Sequence, residues 1–142
     1  MAVESDTYRP SDDRTDAREQ AIMLLYESEQ RSALSTDLLK ERGVVSEELT
    51  QFLLEGVEAH RSGIDEKIVE HARGWVLERM PALDRAILRL AIFELIGRPD
   101  VPVAVVIDEA VELAKRFSTD DSGRFVNGVL ASIAKQVRAP DA

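Results

Sequence analysis

Val101-Pro102-Val103-Ala104-Val105-Val106-Ile107-Asp108-Glu109-Ala110-Val111-Glu112-Leu113-Ala114-Lys115-Arg116-Phe117 decides the fold class. Its first seven residues are rich in β-branched side chains and, taken alone, fit a strand. Yet Val103, Val106, Ile107, Ala110, Val111, Ala114 and Phe117 recur at three- and four-residue steps, while Asp108, Glu109, Glu112, Lys115 and Arg116 face the other way. A strand would alternate every second residue, so a 3.6-residue period kept to Phe117 predicts a helix that starts after Pro102.

The next stretch is a polar loop followed by more apolar periodicity. Thr119, Asp120, Asp121 and Ser122 are cap-forming residues, and Phe125, Val126, Val129, Leu130 and Ile133 then mark one helical face. This predicts a last helix that fades by Arg138 and Pro140. The Asn127-Gly128 pair inside it looks like hairpin chemistry, but its flanks have the wrong period for strands. A glycine there costs about 1 kcal/mol against alanine, which leads us to expect close approach of a neighbouring helix at Gly128.

On the N-terminal side, Pro81 suits the first turn of a helix, where its missing N–H is not needed. Leu83, Ile87, Leu90, Ala91 and Leu95, widened by Leu88, Ile92 and Ile96, leave little solvent face, so this is the expected central helix of the core, ended by Gly97 and Pro99. Further back, Ile64, Ile68 and Ala72 predict a helix that starts after a stop at Gly63. Ser46 is the expected cap of a helix carrying Leu49, Phe52, Leu53, Gly56, Val57 and His60 on its inner face. A short helix is expected from Ser35 to Arg42, stopped by Gly43. The first helix begins at Thr15 or Asp16 and buries Ala17, Ala21, Leu24, Leu25 and Ser28, with Ile22 and Tyr26 on its flanks and Arg14, Arg18 and Glu19 nearer solvent. Residues 1–13 are polar, lack an apolar period and read as a disordered tail. The expected organisation is therefore one all-α domain over residues 14–138, with a C-terminal tail at 139–142.

Composition fits this reading and removes several function classes. The chain has 142 residues, 44% hydrophobic and 32% charged, enough for one core without staples. It has no cysteine, so disulfides, thiolate metal sites and thiol nucleophiles are excluded. The N-terminus lacks a basic and an apolar region of the kind that directs export, and no apolar run approaches a membrane span, so no membrane is expected and the location expected is cytoplasmic. A net charge of −9 argues against nucleic acid, but its distribution weakens that argument. Residues 1–70 hold 17 acidic and 8 basic side chains, whereas residues 71–142 hold 10 of each, and Lys115, Arg116, Arg124, Lys135 and Arg138 outnumber Asp120 and Asp121 within 115–138.

The common signatures of catalysis are missing: no phosphate-binding glycine loop, no Gly-x-Ser-x-Gly elbow and no His-Glu-x-x-His helix. His60 and His71, on either side of the expected break, do not form a ligand pair, and Asp108, Glu109 and Glu112 read as a solvated helix face with cations nearby. No catalytic residue, cofactor or metal site is expected. The aromatics show no interleaving with basic residues, except Phe125 beside Arg124 at a helix start. There an aromatic ring can cover a base while Arg124 and backbone N–H groups face phosphate. The same position also suits a core ring behind ordinary caps.

Taken together, Ala17-Arg18-Glu19-x-Ala21-x-x-x-Leu25-Tyr26, Gly56-Val57, Leu83 to Ala91, Asp108 to Lys115, and Asp121-Ser122-x-x-Phe125-Val126-Asn127-Gly128-Val129-Leu130 resemble the NusB family, collinearly from about residue 14 to residue 137. The resemblance implies about seven helices in two subbundles. It implies a transcription antitermination factor that binds boxA RNA of ribosomal RNA transcripts jointly with NusE, a small-subunit ribosomal protein, and helps assemble a complex on RNA polymerase. The implied RNA contacts are Arg14, Arg18 and Tyr26 on the first helix and Asp121, Ser122, Arg124 and Phe125 around the last helix start. The implied NusE surface includes Asp84. Thr15 and Asp16 stand where the family commonly has basic residues, so RNA binding by the chain alone is expected to be modest. The family also has homodimers, which leaves a protein-binding module as an alternative, and the fold occurs as a module of RNA methyltransferases.

Overall fold

The computed structural model describes residues 13–42 and 48–138. The expected stop at Gly43, cap at Ser46, C-terminal tail and, apart from Asp13, the N-terminal tail lie outside the described residues. Among the described residues the elements are helices α1 (Asp13–Arg31), α2 (Ser35–Arg42), α3 (Glu48–His71), α4 (Ala82–Gly97), α5 (Val103–Phe117) and α6 (Asp120–Val137), with a 3₁₀ turn at Leu77–Arg79. The chain is all-α, and none of these helices is long and apolar enough to cross a membrane.

The difference from seven helices lies in α3. Gly63 does not end a helix: it is exposed, nothing lies within 4 Å of where its Cβ would be, and the helix runs through it. A mid-helix glycine costs about 1 kcal/mol, which is too little to break a helix that buries Ile64 and Ile68 beyond it. The interruption falls instead at His60, where φ is −114° and ψ 16°. The His60 ring donates from Nδ1 to the Gly56 carbonyl at 2.9 Å, so a side chain takes an acceptor of the regular ladder and the helix kinks. His60 and Phe52, expected on the inner face, are both exposed; Phe52, 45% exposed, lays its ring beside Phe93 instead.

Helix α4 is the central element, as its sequence predicts. It packs against α1, α3, α5 and α6, and every residue from Ala86 to Leu95 is buried. Ile96, expected to widen the buried stripe, is 39% exposed at the helix end. Phe93 is wedged between two glycines. A Cβ on Gly56 would come within 2.0 Å of its ring and one on Gly97 within 2.6 Å, so α3 approaches α4 only because residue 56 has no side chain.

Four charged side chains, Arg18, Asp84, Arg89 and Glu94, are buried along α4 and tie the helices in register. Arg18 of α1 donates from Nε and Nη2 to Glu94 at 2.7 and 2.9 Å and from Nη1 to Glu109 of α5 at 3.3 Å. At the other end of α4, Arg85 and Arg89 both grip Glu29 of α1, and Arg89 also reaches Asp65 of α3. These pairs show that α1 runs antiparallel to α4, with residue 18 beside 94 and residue 29 beside 85. The paired arginines, Arg85 first, hold the Glu29 carboxyl down to about 2.

Candidate nucleic-acid interface

The start of α6 is built on a buried polar anchor. Thr119 is the N-cap, extended at φ −136° and ψ 168°, and its hydroxyl accepts the Ser122 N–H at 3.0 Å. The Ser122 hydroxyl turns inward, lies 2.9 Å from the Ser118 hydroxyl and donates to Asp84 Oδ2 at 3.0 Å, so the first turn of α6 is pinned to the first turn of α4. Asp84 is 3% exposed, and its buried Oδ1 has no hydrogen-bond partner among the described residues. Burial pushes its carboxyl above the ordinary value, and the Ser122 hydrogen bond acts in the opposite direction.

This anchor aims its neighbours outward. Asp121 and Arg124 form an ion pair in solvent, with side chains 86% and 75% exposed. Phe125 is half-buried, its ring centroid 5.3 Å from that of Trp75 at a tilt of 53°. Gly123 is buried where the stem of Lys115 crosses it; a Cβ there would meet Lys115 Cγ at 2.9 Å. Lys115 and Arg116 are exposed at the end of α5, and Arg116 pairs with Glu19 of α1 at 2.7 Å while lying over the Phe117 ring. The junction of α5 and α6 thus gathers three exposed cations around a helix N-terminus, which favours anions.

Three of the expected contact residues face the wrong way to touch a ligand. Arg18, expected nearer solvent, is 4% exposed and committed to Glu94 and Glu109. It sits one turn inside Arg14 on the same side of α1, but that side enters the seam with α4 and α5 there. Ser122 is 6% exposed, with its hydroxyl used on Asp84. Asp84, expected on a partner surface, is an internal strut. The carboxylate and hydroxyl suit each other better than water in that corner, because each supplies the partner the other needs once buried.

The other expected residues are accessible but lie at two ends. Tyr26 is 37% exposed, one turn before Glu29, at the end of the bundle where Arg85 meets Glu29 and Asp84 meets Ser122. Arg14 is exposed at the opposite end of α1, about 18 Å away at 1.5 Å per residue. With Arg98, Asp100, Pro102, Val105 and Glu109 it lines a polar cavity of about 250 Å³, whose wall the largely buried Arg18 also reaches. Gly128 offers no close approach. It is exposed, with nothing within 4 Å of a Cβ, and Asn127 beside it is exposed too. The close glycine contacts fall at Gly123, Gly56 and Gly97 instead.

Sequence reading passed over Trp75 as a site residue and gave Lys115 and Arg116 no individual role. The available signal was the positive balance of residues 115–138; nothing local tied Trp75 to Phe125, 50 residues away in the chain. Among the described residues no three His, Cys, Asp or Glu side chains gather as a metal site.

The chain is similar to known proteins over most of its length. The family model described as the NusB family matches residues 15–135. The transcription antitermination protein NusB of Saccharopolyspora erythraea is 56% identical over 128 residues, covering 85% of this chain and 86% of that protein. The solved structure of T. maritima NusB is similar with a TM-score of 0.81 and 35% identity, covering 89% of this chain and 93% of that one. A chain in the crystal structure of antitermination factors NusB and NusE in complex with dsRNA is similar with a TM-score of 0.74 and 27% identity, covering 89% of this chain and 99% of that one.

Proposed function

The chain belongs to the NusB family, and from that premise we propose that it is a transcription antitermination factor, a non-catalytic protein that binds boxA RNA together with NusE and helps assemble an antitermination complex on RNA polymerase. Work on a nascent bacterial transcript puts it in the cytoplasm. The observation that carries the RNA role is the start of α6, where the buried Asp84–Ser122 anchor holds Arg124, Asp121 and Phe125 at the surface beside Lys115.

In this reading Arg124 and Lys115 face phosphate, Phe125 offers ring surface to a base, and Asp121 accepts from a base edge or ribose hydroxyl. Tyr26 adds a second aromatic at the same end of the bundle. Arg14, some 18 Å along α1, meets the backbone farther along the strand. Arg18, Ser122 and Asp84 are positioning residues: they hold the helices that carry the contacts. NusE then docks on surface around the start of α4, with Asp84 supporting that surface from beneath.

The test is a mobility shift of a boxA RNA oligonucleotide with the protein alone and with NusE, against a scrambled RNA. A shift that strengthens with NusE and is lost with the scrambled RNA is expected. No shift in either case, with NusE still bound, would leave a protein-binding module and overturn the RNA role. Phe125→Ala tests the ring: weaker boxA binding by a folded variant is expected, and normal binding returns Phe125 to a core role.

A further inference from the structure

Trp75 is the only tryptophan in the chain, and the described structure leaves it 47% exposed. It does not hang loose. Gly74 turns the backbone at φ +80° and the Trp75 N–H donates to the Ala72 carbonyl at 3.0 Å, so the ring is posted by a hydrogen-bonded turn directly after α3. It packs beside Phe125, at 5.3 Å between centroids and a tilt of 53°. Aromatic rings are large apolar surfaces normally covered in a folded protein, and this one keeps half of its surface in water.

Its surroundings distinguish between occupants. Arg124, next to Phe125, is 75% exposed, and Arg73 and Arg79 are exposed within four residues of Trp75 on the chain. An exposed ring in contact with Phe125 at a helix start, with arginines close by in the sequence that outnumber the one exposed carboxylate there, Glu78, suits an unpaired nucleobase with its phosphates, since a base needs a flat apolar face beside cations. An apolar protein segment would have to strip water from those guanidiniums with nothing in return.

Resting on the RNA reading above, we propose that Trp75 is a base-stacking platform. Phe125 backs it, and the RNA path extends from the start of α6 onto the turn after α3. The tilt of 53° between the rings keeps them from lying parallel to one base, so the more exposed Trp75 takes a base of its own beyond the one that Phe125 covers, and Phe125 also steadies the Trp75 ring.

The lone tryptophan supplies the experiment. Emission from residue 75 and anisotropy of labelled boxA RNA are followed in one titration, with NusE whose tryptophans, where present, are replaced by phenylalanine. Binding seen by anisotropy should quench Trp75 emission and shield it from acrylamide. Trp75→Ala should weaken RNA binding about 5- to 150-fold, the range for loss of one base–aromatic stack, while Trp75→Phe should stay close to the parent. Melting curves show whether Trp75→Ala folds; if it does not, Trp75→Phe together with quenching in the parent decides. RNA binding with unchanged emission, or a folded Trp75→Ala that binds RNA normally, overturns the platform and leaves the RNA role standing. A change of emission on adding NusE alone, with no further change on adding RNA, also overturns it in favour of a protein contact. No RNA binding with or without NusE overturns both readings.

Discussion

Arg18, in the seam between α1, α4 and α5, and Arg124, on the first turn of α6, each face a carboxylate, yet one pair lies inside the protein and the other in water. The Arg18–Glu94 side chains are 5% and 2% exposed, and those of Arg124 and Asp121 are 75% and 86% exposed. An exposed pair contributes about 0 to 1 kcal/mol because water and salt screen it. Breaking a buried pair by removing one member leaves a charge stranded and costs about 3 to 5 kcal/mol. The difference teaches that an arginine's place in a motif does not tell its job: the inner one holds the scaffold, and the outer one can exchange its partner for a ligand at little cost.

The harshest way to break this contrast is Arg18→Ala. It should destabilise the protein by about 3 to 5 kcal/mol in urea unfolding, with Glu94 left buried and Arg98 its remaining partner. Replacing Arg18 and Glu94 together by apolar residues of similar size should recover much of that loss. A fully stable Arg18→Ala protein would mean the seam is wet and the distinction false. For the same reason Arg18→Ala is a poor probe of RNA contact, since affinity and folding would fall together.

Gly56→Ala probes how tightly the seam closes. Its new methyl meets the Phe93 ring, which Gly97 blocks on another side, so a loss of about 1 to 3 kcal/mol is expected from overpacking. An unchanged melting temperature would show that Phe93 can swing out.

Smaller and pH-dependent is the effect of Glu29. Its carboxyl sits at about 2 in the folded protein against an ordinary 4.5, first through the Arg85 hydrogen bond. A depressed value means the stabilisation is present above about pH 4.5 and disappears as pH falls toward 2. Melting temperature measured across that window should fall more steeply for the parent than for Glu29→Gln. Parallel curves would show that the Arg85–Glu29–Arg89 cluster contributes nothing through charge.

Least disruptive to the fold is Arg124→Ala, expected to change stability by less than about 0.5 kcal/mol. Its signature lies in RNA binding: the slope of log K against log salt should become shallower by about 0.7, one single-strand phosphate contact. With Arg18 unavailable, the parent slope itself should stay modest, near −3 for about four contacts. A much steeper slope would mean that further cations join the path.

The helices were legible because burial imposes a period, and the period of α4 and α5 is read directly from Leu83 to Phe117. Pairings between distant residues were not legible. Arg14 and Arg18 share a face by spacing alone, and only the position of Glu94, 76 residues on, separates the exposed one from the buried one. Likewise Asp84 and Ser122 each read as surface groups until the fold places them together. Glycines misled for a related reason. Gly63 and Gly128 look like breaks or close contacts, but a helix tolerates either at about 1 kcal/mol, whereas Gly56 is required by a ring it meets only in three dimensions.

The separation of Arg18 from Glu94 also sets an order of events during synthesis. Helix α1 leaves the ribosome 76 residues before its counter-charge exists, a wait of about 4 to 15 s at 5 to 20 residues per second. Throughout that interval docking α1 would confine an unneutralised guanidinium, so the helix stays undocked until α4 emerges. Helix α1 is thus made before α4 yet locked in place only with it.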